Sequence, residues 1–132
     1  MSTKLNVLKT NWDLSVIFAD ESKFEEEKDR IIKANYKFIN KWKNRTDYLE
    51  YPQVLKTALD ELEKLEATTG TTGAIGYYYG LKSALDQTNP HILARLNKIE
   101  EFAVQIANDA QFFSHKLAHV KPEIQKIFLK IP

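Results

Sequence analysis

One long apolar stripe constrains the fold of this chain more than any other feature of its sequence. Apolar residues recur at three- and four-residue intervals over about 28 residues, which predicts one amphipathic helix roughly 40 Å long at 1.5 Å per residue. Asn89 is well placed as its N-cap and Pro90 as its first residue. The members of the stripe are Ile92, Leu93, Leu96, Ile99, Phe102, Ala103, Ile106, Ala110, Phe113 and Leu117. A helix with one apolar face needs other helices to cover that face, so the stripe predicts a bundle.

Two segments before the long helix have the same periodicity. The first shows a capping box, with Ser22 as N-cap and Glu25 reaching back, and ends in the basic residues Lys41, Lys43 and Arg45. Its apolar face is Phe24, Ile31, Ile32, Asn35, Phe38, Ile39 and Trp42. The second segment begins at Pro52, after a connection over residues 44–51. Its apolar side is Val54, Leu55, Ala58, Leu59, Leu62 and Leu65.

Breaks in the pattern divide the remainder of the chain. Threonines and glycines over residues 68–73 are predicted to end the second helix, and a third runs through Ile75, Tyr78, Leu81 and Leu85. Pro122 either ends the long helix or opens a fifth segment, which carries Ile124, Ile127, Phe128 and Ile131. Short connections between consecutive helices favour antiparallel packing. We therefore predict an all-α fold, a bundle of four or five antiparallel helices over residues 20–132, preceded by an extended N-terminal arm at residues 1–19.

The composition and net charge of the chain limit which partners it is expected to bind and in which compartment it is expected to lie. Nineteen basic and eighteen acidic residues leave a net charge of +1, which does not provide the basic surface that nucleic acid or an anionic membrane needs. The chain has no cysteine, so disulfides and thiol catalysis are excluded. Met1 to Asn11 lacks the apolar run of a signal peptide, and no stretch of about eighteen apolar residues is present. These features predict a soluble, cytoplasmic protein without nucleic-acid or membrane partners.

A histidine pair has the spacing of a zinc motif. His115 and His119 are four residues apart, as in H-E-x-x-H, but Lys116 stands where that motif has its glutamate. At 100° per residue both histidines fall opposite the apolar stripe, and the third histidine, His91, lies about 36 Å from His115 along the helix. Catalytic zinc requires a third protein ligand and a general base. We predict no catalytic residue and no metal site here, beyond adventitious nickel or zinc on His115 and His119.

The glycine-rich stretch Gly73 to Gly80 also carries three consecutive tyrosines. It follows a helix instead of a strand and lacks the lysine and the serine or threonine of a phosphate loop, so its glycines are expected to permit close helix packing or a loose helix start. Tyr77, Tyr78 and Tyr79 span about 200° of a helix, so at least one faces away from the core. That tyrosine packs on a neighbouring helix or meets a partner.

Several motifs together resemble the N-terminal region of the oligoendopeptidase F family of thimet-like zinc metallopeptidases. The first is Asn11-Trp12-Asp13-Leu14-Ser15-Val16-Ile17-Phe18, followed by Ser22-Lys23-Phe24-Glu25-Glu26-Glu27. The second is Tyr78-Tyr79-Gly80-Leu81 followed by Asp86-Gln87-Thr88-Asn89-Pro90. Leu96-Asn97-Lys98-Ile99-Glu100-Glu101-Phe102 and Phe112-Phe113 continue in the same order. The resemblance covers about residues 11–130.

The resemblance implies a non-catalytic part of a larger enzyme. In such peptidases the H-E-x-x-H helix and a later glutamate ligand lie in the C-terminal portion, and the N-terminal helices cover a deep cleft that admits only short peptides. The implied partners are the catalytic remainder of the peptidase and, in the full enzyme, short peptide substrates; the implied cofactor is zinc in that parent enzyme, with none in this chain. No family catalytic residue falls on these 132 residues. The alternative is a free-standing helical interaction module that ends naturally at Pro132; an independent metallohydrolase is disfavoured because ligands and base are lacking.

Overall fold

The computed structural model describes residues 13–70 and 73–130, and every regular element within them is helical. The α-helices are α1 (Glu21–Trp42), α2 (Pro52–Thr69), α3 (Gly73–Leu85), α4 (Pro90–Ala118) and α5 (Pro122–Phe128). Two 3-10 turns, Leu14–Val16 and Asp47–Leu49, precede α1 and α2 respectively. The predicted all-α class is confirmed. None of the described helices is long and apolar enough to cross a bilayer.

Most predicted helix boundaries are confirmed by local hydrogen bonding. Pro52 and Pro90 are the first residues of α2 and α4, and the side chain of Asn89 accepts the amide hydrogen of His91 as predicted for an N-cap. Pro122 opens α5. Gly70 closes α2 with a φ of 56°, a conformation that glycine adopts without steric cost, and its amide donates to the carbonyl of Glu66.

The predicted capping box at the start of α1 is wrong. Asp20 is the N-cap, and its carboxylate accepts the amide hydrogen of Lys23 at 3.0 Å, so the helix begins one residue before Ser22. Glu25 does not reach back to the backbone; its carboxylate pairs with Lys28 and Arg95. An aspartate in the cap position accepts the amide hydrogen of the residue three positions later just as a serine does, so Asp20 takes the role that was predicted for Ser22.

Two predicted features, the extended arm at residues 1–19 and the helix break at residues 68–73, lie only partly within the described residues. Residues Leu14–Val16 form a 3-10 turn where extended chain was expected, and Phe18 is buried against Phe24 and Tyr78. Residues 1–12, which include the predicted leaderless terminus and Trp12, lie outside the described residues. α2 continues through Thr68 and Thr69, farther than predicted, while residues 71, 72, 131 and 132 lie outside the description.

The contacts with α1 fix the direction of the other helices. α2 is antiparallel to α1, since Arg30 donates to the carbonyl of Thr68 and Trp42 donates to Glu61. α3 continues in the same direction along the first half of α1, because Thr68 near the end of α2 lies beside Arg30 and Tyr79 within α3 lies beside Glu21. α2 and α3 therefore follow one another along α1 in the same direction, with the Gly70 break between them.

α4 runs parallel to α1, in a nearly constant register. Three hydrogen-bonded pairs join the helices at sequence separations of 74, 73 and 73: Glu21 with Arg95, Tyr36 with Asp109, and Lys43 with Lys116. The bundle thus runs up along α1, down through α2 and α3, and up again along α4. α3 is antiparallel to both of its long neighbours, whereas short connections alone had suggested that every consecutive pair reverses.

Among the described residues, the hydrophobic core forms two clusters along α1. The closed half is the cluster in which α3 fills the space between α1 and α4, and its buried residues are Phe18, Phe24, Ile31, Ile75, Tyr78, Tyr79 and Ile99. The open half is the cluster beside α2, with Phe38, Trp42, Tyr48, Ala58 and Phe113 buried. Aromatic rings in edge-on contact dominate both clusters.

Candidate functional site

The open half contains a groove between α2 and α4, which we call the α2–α4 groove. One cavity of about 420 Å³ lies over α1, and a second of about 440 Å³ adjoins it and shares five of its lining residues. The shared residues are Phe38, Leu62, Glu66, Ala107 and Ala110. Ile31, Asn35 and Ile39 complete the floor, and the second cavity extends along α4 to Ser114.

The groove is open because α2 and α4 both pack on α1 and make little contact with each other. In the closed half the equivalent space is occupied by α3, which packs against both α1 and α4. The apolar stripe of α4 is consequently covered at Ile99 and Phe113 but only half covered between them, at Phe102 and Ile106, and Ala107 is exposed. α2 buries only Ala58 and Thr69, and its exposed residues include Leu59.

The shape of the groove suits a helix. From Phe102 to Ser114 it follows α4 for roughly 18 Å, or about three helical turns. The α4 side presents small residues at helical spacing, Ala103, Ala107, Ala110 and Ser114, and small side chains allow another helix to approach closely. The α2 side presents leucines.

The polar side chains of the first cavity are those of Asn35, Glu66 and Thr69, and the second cavity adds those of Asn108, Gln111 and Ser114. The amide nitrogen of Asn35 donates to the carbonyl of Ile31 at 2.8 Å, so this floor residue is satisfied within its own helix. Glu66 is the charged residue that lines both cavities, and it is exposed at the rim. The electrostatic character of the groove is therefore weakly acidic, which favours an occupant that carries a lysine or an arginine at its edge.

A buried hydroxyl lies behind the groove. Tyr48 is fully buried, stacks on Phe113 with ring centroids 5.3 Å apart, and its hydroxyl has no hydrogen-bond partner among the described residues. Burial raises the pKa of this phenol, with a smaller contribution from Asp47. Tyr48 lines neither of the two cavities, so we assign it to the aromatic packing that fixes Phe113.

The histidine pair lies away from the groove. His115 and His119 are both exposed, as the helical wheel predicted, with ring centroids 4.6 Å apart. His119 is the C-cap residue that follows α4, and its Nδ1 lies 2.8 Å from the carbonyl oxygen of His115. Across residues 13–70 and 73–130 no three metal-ligating side chains come together. The prediction of adventitious metal only at this pair stays a prediction.

The tyrosine and glycine predictions have different outcomes. Tyr78 and Tyr79 are buried in the closed half, while Tyr77 is 64% exposed, which confirms that one tyrosine faces away from the core. Close packing does not explain Gly80, because a Cβ added there would meet nothing within 4 Å. Tyr77 and Gly80 both lie outside the lining of the α2–α4 groove.

A charged network covers the end of the closed half. Arg95 donates to Glu21 at 2.7 Å and to Glu25 at 2.8 Å, and the hydroxyl of Tyr79 donates to Glu21 at 2.7 Å. The hydrogen bond from Lys28, and then that from Arg95, lowers the pKa of Glu25. Burial is the main cause of the raised pKa of Tyr79. Each carboxylate here has a cationic partner, so the network joins α1 to α4 and does not form an acid–base pair.

Comparisons of this chain with protein-family models, with curated proteins and with solved structures returned no match. The groove is the feature that reasoning from sequence missed. Its signal was present in α4, where Ala103 and Ala110 are the small members of the apolar stripe and Ala107 lies about one helical turn from each of them.

Proposed function

We propose that these 132 residues are the N-terminal helical scaffold, or lid, of an oligoendopeptidase F-like zinc metallopeptidase. In this proposal the chain is inactive by itself and supports the cleavage of short peptides when it is joined to a catalytic portion that carries H-E-x-x-H. The observation that carries the proposal is the α2–α4 groove, an apolar surface that the described chain leaves uncovered.

The groove supports a docking role because it leaves apolar side chains in contact with water, which is unfavourable unless a partner covers them. Leu62, Phe102 and Ile106 keep part of their apolar surface in water, and each further Å² of apolar surface that a partner removes from water contributes about 25 cal/mol. Contiguous apolar patches of this kind mark interaction sites on otherwise ordinary globular proteins. A scaffold domain that packs against the rest of an enzyme needs such a surface.

The residues behind the family resemblance have scaffold roles in the fold. Phe18 and Tyr78 pack in the closed half with ring centroids 5.2 Å apart, and Asn89 caps α4. Leu14 begins the 3-10 turn that leads into α1. These positions shape the bundle, which suits a part of the enzyme that covers a cleft. The proposal places the zinc in the parent enzyme and the enzyme in the cytoplasm.

The test begins with the natural open reading frame beyond the codon for Pro132. We expect a continuation that encodes H-E-x-x-H and a later glutamate, and a full-length product that cleaves a short peptide but not the same sequence inside a folded protein. A stop codon at that point, or a continuation without these ligands, would overturn the proposal.

A matched pair of variants then tests the groove in the full-length enzyme. Ala107→Glu places a charge in the groove, whereas Val104→Glu places the same charge on α4 at a site that is 59% exposed and lines neither cavity. We expect Ala107→Glu to lower peptide cleavage at least several-fold and Val104→Glu to leave it unchanged. Equal activity of the two variants would show that the groove does not dock the catalytic portion.

The groove also favours a second candidate, the free-standing interaction module. A module of this kind would use the same surface to bind a helix of a separate protein, as helix-in-groove recognition does in general. A stop codon after Pro132, together with loss of that binding in Ala107→Glu but not in Val104→Glu, would favour this candidate over the peptidase scaffold.

A further inference from the structure

We propose that the outer face of α3 binds the same face of a second copy of this chain, in a dimer with two-fold symmetry. The outer face consists of Ala74, Tyr77, Gly80, Leu81, Ala84 and Leu85. The dimer forms from these 132 residues alone and is independent of the peptidase relationship. It accounts for two features of α3 that packing within one chain leaves unexplained, the exposed ring of Tyr77 and the open space at Gly80.

The outer face is one continuous apolar surface. At 100° per residue its members fall within an arc of about 140°, and the buried residues of α3 fall on the other side of the helix. Tyr77 is 64% exposed and Leu85 is 44% exposed, while Leu81, between them on the helix, is half-buried. Exposed apolar residues that are scattered singly need no explanation, whereas a contiguous set on one helix face marks an interaction site.

The outer face carries no charge, which favours a second copy as its partner. Lys82 is the only charged residue among residues 73–85, and its ammonium lies over the buried rings of Tyr78 and Tyr79 at 4.4 and 5.1 Å. A helix that is apolar on all sides is normally covered on all sides, so α3 lacks a cover here. A second copy brings identical charges, and like charges that meet across an interface cost free energy. Two uncharged faces avoid that cost.

The outer face is also complementary in shape to itself. Tyr77 is large and exposed, whereas Gly80 and Ala84, three and seven residues later, are small and exposed. A Cβ added at Gly80 would meet nothing within 4 Å, so open space lies beside the helix at that point. When two α3 helices pack antiparallel, Tyr77 of one copy lies over Gly80 and Ala84 of the other, and the two-fold axis repeats the contact. The same contact is thus made twice.

The size of the outer face predicts a weak dimer. The 13 residues of α3 extend roughly 20 Å at 1.5 Å per residue. Tyr77 contributes roughly 130 Å² of exposed surface, if a whole tyrosine presents about 200 Å². Two such faces bury less than the roughly 1,600 Å² of a standard protein interface, so we expect a Kd in the micromolar to millimolar range. Association must therefore be measured up to about 1 mM protein.

Sedimentation equilibrium with a matched pair of tyrosine variants tests the dimer. Tyr77→Ala removes a ring from the outer face, whereas Tyr51→Ala removes a ring that is 59% exposed at the start of α2. We expect the unmodified chain to dimerise, Tyr77→Ala to weaken the dimer at least roughly tenfold, and Tyr51→Ala to leave it unchanged. Circular dichroism verifies the helix content of each variant. A chain that stays monomeric over the whole concentration range, or equal weakening by both variants, would overturn the proposal.

Gly80→Gln separates association from stability. Because the space beside Gly80 is open and glutamine favours helix more than glycine does, we expect a higher Tm for the monomer. The added side chain occupies the space that Tyr77 of the other copy needs, so we expect the dimer to weaken at least roughly fivefold. A fall in Tm, or a stabilised variant that dimerises as tightly as the unmodified chain, would contradict the contact at Gly80.

Ala107→Glu distinguishes the outer face from the α2–α4 groove. This variant places a charge in the groove and leaves α3 unchanged, so we expect it to dimerise like the unmodified chain. Loss of the dimer in Ala107→Glu, with a normal dimer in Tyr77→Ala, would locate the contact at the groove and refute the assignment to α3.

Discussion

The two ends of α1 are covered in different ways. At its first half α3 packs between α1 and α4, and Phe18 from the preceding segment belongs to the same buried cluster. At its second half α2 packs on α1 and on the 3-10 turn Asp47–Leu49, and the space between α2 and α4 remains a groove. The same apolar stripe of α4 passes through both halves.

This difference teaches that a continuous apolar stripe does not imply continuous burial. Ile99 in the closed half is buried, whereas Ile106, seven residues later on the same face of α4, is only half buried. What changes is the neighbouring helix, since α3 contacts α4 and α2 hardly does. Both halves contain a buried cluster, and the open half in addition offers an apolar surface to another helix.

The largest expected effect compares one phenylalanine from each half. Phe24→Ala removes a ring that is 1% exposed and lies 4.8 Å from Tyr79 and 5.6 Å from Phe18, so we expect a loss of about 3–5 kcal/mol in the free energy of unfolding. Phe38→Ala removes a ring that already borders the groove, so it should cost about 1–2 kcal/mol less. Urea unfolding measures both, and equal losses would contradict the contrast between the halves.

A smaller effect of opposite sign is expected from filling the groove. Ala107→Leu adds apolar volume over Leu62 without disturbing a buried residue, and we expect a gain of roughly 1 kcal/mol in the stability of the monomer at low concentration. Val104→Leu, on α4 and outside both cavities, should leave stability unchanged. Thermal unfolding of the two variants separates these results, and a destabilised Ala107→Leu chain would mean that the groove has no space to fill.

A smaller loss is expected from the cap that begins α1 in the closed half. Asp20→Ala removes the carboxylate that accepts the amide hydrogen of Lys23, so it should lower Tm measurably. Ser22→Ala should lower it less, because the helix is capped at Asp20 and not at Ser22. A larger fall in Tm for Ser22→Ala than for Asp20→Ala would show that Ser22, and not Asp20, is the N-cap of α1 in solution.

The smallest expected effect is the acid sensitivity of the network on the closed half. Because Lys28 and Arg95 lower the folded-state pKa of Glu25, its ionised carboxylate stabilises the fold above the ordinary glutamate pKa of about 4.3. That contribution is lost as pH falls through the lowered pKa. We expect less than about 1 kcal/mol, since the pair with Arg95 is 36–40% exposed and screened by solvent.

Urea titrations from pH 6 down to pH 3 measure that contribution. Arg95→Met should reduce the slope of stability against pH over the acidic part of this range, since Glu25 then loses one of its two cationic partners. An unchanged slope would show that Arg95 does not act on Glu25 in solution.

Local features of the fold were predictable from the sequence, whereas the relations between helices were not. Asn89 and Pro90 mark the start of α4 by rules that involve only adjacent residues, and the helical wheel placed His115 and His119 in solvent correctly. The parallel register of α1 and α4 depends on contacts such as that of Tyr36 with Asp109, which no local pattern contains. The groove depends on the small extent of contact between α2 and α4, which in turn depends on how both helices pack on α1.

The register of α1 and α4 also has a consequence for the order of folding. Tyr36 and Asp109 are 73 residues apart, so forming their hydrogen bond closes a loop with a larger entropic cost than the short turn at residues 86–89 that joins α3 to α4. We therefore expect the α1–α2 and α3–α4 hairpins to form first and to dock late in folding. In stopped-flow experiments Asp109→Ala should then accelerate unfolding and leave the folding rate almost unchanged, whereas slower folding would place the docking of the hairpins before the rate-limiting step.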